Sequence, residues 1–383
     1  MSKMPNSLPF NRPYTAKNEL TYIAEAHSSR HLSGDGSFTR RCHQSIEWLT
    51  GCPKALLTHS CTSALEMAAI LLDIKDGDEV ICPSYTFVST ANAFVLRGGV
   101  PVFVDVREDT MNLDENLIES AISPRTRAIV VVHYAGIACE MDAILAVAAK
   151  YGLAIVEDAA QAIGASYRGH ALGALGNLGA FSFHETKNIS SGEGGCLLIN
   201  EQRFIQRAEI IREKGTDRTR FFRGEVDKYT WHDIGSSFLP GEVTAASLMA
   251  QLEQVADITS QRRMLWNHYH HLLVQLEQCE FLRRPVVPRE CEHNGHIYYV
   301  LLSEKFDRDV ILRYLRSENT HAISHYVPLH SSPAGQRFGK AVGSFTHTDR
   351  ASKSLIRLPM WIGLTSSDQE RIVEVLKRAF LQN

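Results

Sequence analysis

Between about residues 60 and 200 the chain alternates two apolar patterns. Near-continuous apolar runs, "DEVICPSY" (78–85), "VPVFVDV" (100–106), "TRAIVVVHY" (126–134) and "LAIVEDAA" (153–160), predict strands buried on both faces. Helical periodicity fills the intervals: "SCTSALEMAAILLDI" (60–74), "STANAFVLRG" (89–98), "LDENLIESAI" (113–122) and "MDAILAVAAKYG" (141–152). Strand–helix alternation of this kind predicts an α/β domain with a mainly parallel sheet and right-handed crossovers.

Past about residue 250 the pattern changes. Residues 245–278 read as one long helix, followed by a strand at 295–303, a helix at 307–318 and a final helix at 366–380 opening on capping serines. The expected organisation is a large α/β domain with an N-terminal arm over 1–250, then a connecting helix and a smaller α+β domain over 251–383. A chain of 383 residues suits two or three such cores.

Composition narrows the function classes. A net charge of -3 and the lack of a basic stripe argue against a nucleic-acid partner. The N-terminus "MSKMPNSLPFNRPYTAKNEL" has no apolar h-region and no run approaches bilayer length, so a cytoplasmic protein without membrane contact is expected. The eight cysteines have no C-x-x-C pair or ligand spacing and read as small buried hydrophobes. His268, His270 and His271 in "NHYHHLL" read as a helix face, so no metal is expected.

In an open parallel sheet ligands sit beyond the carboxyl ends of the strands. The residues there are "PSYTF" (83–87), "HYAG" (133–136), "EDAAQ" (157–161) and "FSFHETKN" (181–188). Taken alone, Lys187 is a solvated charge, Asp158 is either a partly desolvated carboxylate seeking a cation or a helix cap, and Thr62 and Ser63 are either phosphate ligands or plain caps. Taken together they suit pyridoxal 5′-phosphate. The lysine amine condenses with an aldehyde, the aspartate keeps a pyridinium nitrogen protonated, and the helix start receives the phosphate.

The segments "SCTSALEMAA", "GDEVICPSYTFVSTANAFVLRGG", "VVHYAG", "EDAAQAIGASYRGHALGALGNLGAFSFHETKNISSGEGG" and "IREKGTDR…KYTWHDIGSS" resemble the DegT/DnrJ/EryC1/StrS family of nucleotide-sugar aminotransferases. The resemblance implies a fold-type I PLP-dependent transferase with a seven-stranded, mainly parallel sheet. It implies Lys187 as the lysine that bonds to the cofactor and Asp158 as the pyridinium partner. Gln161 would donate to the phenolic oxygen, Thr62, Ser63 and Ser182 would hold the phosphate, and Phe87 would stack on the ring unless it is a core aromatic. "HYVPLH" (325–330) and "FSFHETKN" make His330, Tyr326 and His184 candidate substrate contacts, His330 being alternatively a packed junction residue. Where the family has an Asn and an Arg in "GYNxR", this chain has "GSSFL", so Ser237 would replace the Asn that reaches a phosphate in the partner of a homodimer with shared sites.

Within the family, "FSFHETKN", "RRCHQSIEWL" and "FFRGEVDKYTW" look closest to the branch that moves the amino group of L-glutamate to a dTDP-linked 4-keto-6-deoxy sugar for surface polysaccharide, the alternative being the same chemistry on another nucleotide-linked 3- or 4-keto-6-deoxy sugar. The dehydratase branch replaces the lysine with histidine, whereas Lys187 is present. The glycines of "GHALGALGNLGAF" precede a strand instead of following one, unlike a dinucleotide turn. A non-catalytic relative of the fold has no need of Lys187 and Asp158 together.

Overall fold

The computed structural model describes residues 7–382; the first six residues of the arm and Asn383 lie outside them. Seven strands build the large sheet: β1 (Lys54–Thr58), β2 (Glu79–Pro83), β3 (Val100–Val104), β4 (Thr126–Val132), β5 (Ala154–Asp158), β6 (Leu178–Ser182) and β7 (Gly195–Ile199). The C-terminal part adds β8 (Leu282–Arg283), β9 (Tyr298–Leu302), β10 (Lys340–Ala341) and β11 (Leu355–Leu358). The large sheet runs β1-β7-β6-β5-β4-β2-β3-β10, and β7 alone is antiparallel to its neighbours.

The near-continuous apolar runs have a simple cause. Ile81, Val102, Ile129 and Ile155 enter one core, while Val80, Phe103, Val130 and Val156 enter the core on the other face. Successive residues of a strand point to opposite faces, so a sheet covered by helices on both sides needs apolar residues at every position. The expected fold is present, with one addition: the seven strands are joined by an eighth, β10, which crosses from the C-terminal part and pairs with β3, Lys340 opposite Val102.

The C-terminal sheet, β8-β9-β11, is antiparallel and shares a core with the helices Arg308–Ser317 and Ser366–Gln382. Two local expectations are corrected. Residues 245–278 form three helices, Glu242–Leu252, Val255–Leu272 and Val274–Gln278. The first break is tied by hydroxyls from the N-terminal segment, Tyr14 donating to Gln254 at 2.7 Å and Tyr22 to Glu253 at 3.0 Å. The final helix is capped by Thr365, not by the serines: Asp368 N–H donates to Thr365 Oγ1 and Thr365 N–H donates back to Asp368. Leu8 of the arm, grouped with the large domain in the sequence reading, packs in the C-terminal core.

Glu242 shows how the N-terminal helices are anchored. Its buried carboxylate accepts from the amides of Gly36, Phe38 and Thr39 at 2.8–3.0 Å, capping the helix Ser37–Thr50 from outside. A Cβ at Gly36 would lie 2.4 Å from this carboxylate, so the approach requires glycine. Glu242→Ala leaves several buried amides without an acceptor and is expected to lower stability by about 3 kcal/mol, read as a lower urea midpoint.

Candidate active site

A cavity of about 590 Å³ opens at the carboxyl ends of the parallel strands. Thr86 and Phe87 follow β2, Val132 ends β4, Asp158 ends β5 and Ser182 ends β6. Lys187 lines it from the turn that joins β6 to β7. That turn is a hairpin held by Phe183 N–H to Gly194 O at 2.8 Å and Ser191 N–H to Phe183 O at 2.9 Å. The C-terminal part closes the opposite wall with His296, His325, Tyr326 and Arg357.

β5 places adjacent carboxylates on opposite sides. Glu157 accepts amides of Gly173, Leu175 and Gly176 and pairs with buried His133 at 2.8 Å, which pins the 173–176 loop. Asp158 faces the cavity, accepting from Thr90 Oγ1 at 2.7 Å and Ala160 N–H at 3.2 Å. Burial pushes the Asp158 carboxyl above its usual range, opposed by the Thr90 hydroxyl. The Lys187 ammonium is pulled below its ordinary value by the same cause. A desolvated carboxylate stabilises a proton held opposite it, and a depressed lysine presents more neutral, nucleophilic amine.

The helix Cys61–Leu71 begins at this cavity. Its cap is Ser60, whose Oγ accepts from Ser63 N–H, so Thr62 and Ser63 are first-turn residues and not caps. The amides of Cys61 and Thr62 have no partner within the helix, and Thr62 Oγ1 meets Ser89 Oγ at 2.8 Å. Gly195 makes this placement possible. A Cβ there would lie 2.2 Å from the Ser60 carbonyl carbon, so the helix start abuts β7 only because the strand is bare at that point.

Phe87 is 55% exposed on the cavity rim, which excludes a core role. Gln161 is fixed by Ala135 N–H donating to its Oε1, and its own amide donates to Tyr326 OH at 2.8 Å. His184 lines the entrance, hydrogen-bonded to Thr186 at 2.9 Å. The structure therefore brings together Lys187, Asp158, Thr62, Phe87, Gln161, Ser182, His184 and Tyr326.

Three candidates lie apart. Ser63 is turned toward its own cap. His330 is outside the lining, stacked on Phe345 at 3.9 Å and bonded through Nδ1 to Ser84 at 2.7 Å, the surroundings of a packed junction histidine. Ser237 is exposed and lines a different cleft with Arg212 and Lys214. Sequence reasoning missed Ser60, Ser89, Thr90, His296, His325 and Arg357. Arg357 carried one visible signal, a lone charge inside the apolar run "LIRLPM".

A mainly parallel sheet with a lysine in the turn after one strand, an aspartate at the end of another and an open helix start is the architecture of the pyridoxal-phosphate-dependent aminotransferases. Residues 13–377 match the DegT/DnrJ/EryC1/StrS aminotransferase family, and the chain belongs to it. Spore coat polysaccharide biosynthesis protein SpsC of Bacillus subtilis is 31% identical over 388 residues, with 98% of each chain covered. Among solved structures, DesV of S. venezuelae is 30% identical with a TM-score of 0.85 and 94% of each chain covered. The aminotransferase TlmJ of Streptoalloteichus hindustanus is 26% identical with a TM-score of 0.90, covering 98% of this chain and 100% of its own. Membership of this family implies dependence on pyridoxal phosphate. The cavity fits that group: a buried carboxylate, a depressed lysine, an exposed aromatic at the rim and unpaired helix-start amides face one space. Among the described residues no helix is long and apolar enough to cross a membrane.

Proposed function

We propose that the protein transfers the amino group of L-glutamate to the 4-keto group of dTDP-4-keto-6-deoxy-D-glucose, giving dTDP-4-amino-4,6-dideoxy-D-galactose for surface polysaccharide. It is the reaction of a dTDP-4-amino-4,6-dideoxygalactose transaminase. The observation that carries the transaminase chemistry is the convergence of Lys187 and Asp158 on one cavity at the helix start 60–62. The choice of sugar is supported by "FSFHETKN" around the lysine and by the polysaccharide role in the name of SpsC.

Pyridoxal phosphate, when bound, supplies an aldehyde that takes up the amine and a ring that withdraws electrons from the reacting carbon. The residues of the chain do the rest. Ser60, Thr62, Ser182 and the first-turn amides would hold the phosphate. Asp158 keeps the ring nitrogen protonated, and Thr90 keeps Asp158 aimed. Gln161, whose amide donates to Tyr326 here, would be the donor to the phenolic oxygen. Lys187 Nζ would condense with the aldehyde at rest, with loss of water. Once displaced by the donor amine, it would carry the proton from the donor Cα to the carbon that bore the aldehyde, and in the second half carry a proton from that carbon to C4 of the sugar.

The test is mass spectrometry of products from purified protein, L-glutamate and a panel of dTDP- and UDP-linked 3- and 4-keto-6-deoxy sugars. A single aminated dTDP sugar, with NMR placing the nitrogen at C4 in the axial position, is the expected result. Amination of another sugar alone overturns the substrate assignment.

The cofactor site is completed in a homodimer, with Ser237 donating to the phosphate held by the partner. A hydrogen bond to a charged group contributes about 1.5–3 kcal/mol, so Ser237→Ala is expected to weaken cofactor binding roughly 10- to 100-fold without dissociating the dimer. Cofactor titration and sedimentation velocity check this. A fully active monomer overturns the shared site.

A further inference from the structure

Arg357 is a charge set into an apolar strand. In β11 its neighbours Ile356 and Leu358 enter the C-terminal core, and strand alternation turns Arg357 to the other side, where it lines the cavity. The backbone holds it firmly: Arg357 pairs with Tyr299 across the sheet and donates its N–H to Ile323 O at 2.7 Å. The guanidinium lies 4.7 Å over the Phe10 ring, and its Nε is buried with no acceptor.

Among the described residues no carboxylate compensates this charge. The groups acting on it are the hydroxyls of Tyr134, Tyr326 and Tyr85, and burial pulls its pKa down. Arginine nonetheless stays protonated in proteins. Its histidine neighbours are neutral and offer no counter-charge, since burial holds His296 and His325 well below their ordinary range. Of the residues lining the cavity, the only other Lys or Arg is Lys187, which the cofactor occupies in the reading above. An isolated buried cation is costly, and a planar fork of N–H donors matches a carboxylate in two parallel bonds.

We infer that Arg357 binds a carboxylate of the amino donor and makes the site select an amino acid over a simple amine. This rests on the aminotransferase reading, and the experiment separates the two. Holoenzyme, Arg357→Met and Arg357→Lys are compared in the two half-reactions, the second started from protein charged with pyridoxamine phosphate. For Arg357→Met the kcat/KM for L-glutamate is expected to fall roughly 100-fold through KM, with the keto-sugar half-reaction within about twofold of the parent. Arg357→Lys, which keeps the charge without the fork, is expected to fall between, and added guanidinium at millimolar concentration restores part of the Met variant's loss.

Two donors locate the carboxylate: 4-aminobutyrate lacks the α-carboxylate and L-2-aminobutyrate lacks the γ-carboxylate. The one whose rate the substitution leaves unchanged has lost the group that Arg357 holds. Calorimetric titration of each protein with glutarate, a non-reacting dicarboxylate, is expected to show the same weakening. Unchanged glutamate KM and glutarate affinity in both variants overturn the inference, as does a loss confined to the keto-sugar half-reaction, which would give Arg357 to the sugar diphosphate. A parent enzyme that transfers no amine from any amino acid overturns the aminotransferase reading instead.

Discussion

Lys187→Ala protein is expected to bind pyridoxal phosphate without a covalent link and to lose both half-reactions. Proton transfer by a positioned base contributes about 10²–10⁴-fold by itself, and loss of the covalent resting state adds to it. Among the described residues no other lysine lines the cavity, so no described neighbour can take over the role. Borohydride reduction of the parent followed by peptide mapping should mark Lys187 alone, and the variant should carry no mark. A label on any other lysine sinks the assignment.

Asp158→Asn should fold and still hold cofactor through its phosphate, yet lose roughly 10²- to 10³-fold in turnover. The amide oxygen can still accept from Thr90, the 2.7 Å contact that fixes the side chain. A neutral amide has no charge with which to keep a ring nitrogen protonated, and the electron sink is weakened accordingly. The visible absorbance of bound cofactor should shift in the variant while its stoichiometry stays near one per chain. Turnover close to that of the parent removes Asp158 from this role.

The strands β2 to β5 and the helices between them were legible because each strand is buried on both faces and a helix separates it from the next. β1, "KALLT", and β7, "GCLLI", were not picked out. They are five-residue strands, and β7 returns from β6 through a hairpin, outside the strand–helix alternation that reveals the others. β10 is two exposed residues long and carries no periodicity at all. The site shows the same division. Lys187, Asp158, Gln161 and Thr62 sit at strand ends or a helix start, where a polar residue after an apolar run is conspicuous. His296, His325 and Arg357 come from an α+β part more than 100 residues further on, and only tertiary packing brings them to the same space. Ser60 was passed over in favour of Thr62 and Ser63 because three candidate caps stand within four residues, and only the backbone geometry distinguishes the one that turns out of the helix.

The pairing of β10 with β3 bears on how the chain can be divided. An unpaired strand at the border of a sheet offers a row of free amides and carbonyls to any extended segment it meets. In the whole protein Lys340 and Ala341 occupy that row beside Val102 and Phe103, and the Lys340 side chain adds a charge paired with Glu79. A fragment ending near residue 250 keeps every strand from β1 to β7 but uncovers β3. Such a fragment is a template for intermolecular pairing, and its fate on expression is to self-associate into insoluble material rather than to persist as a free-standing cofactor-binding unit.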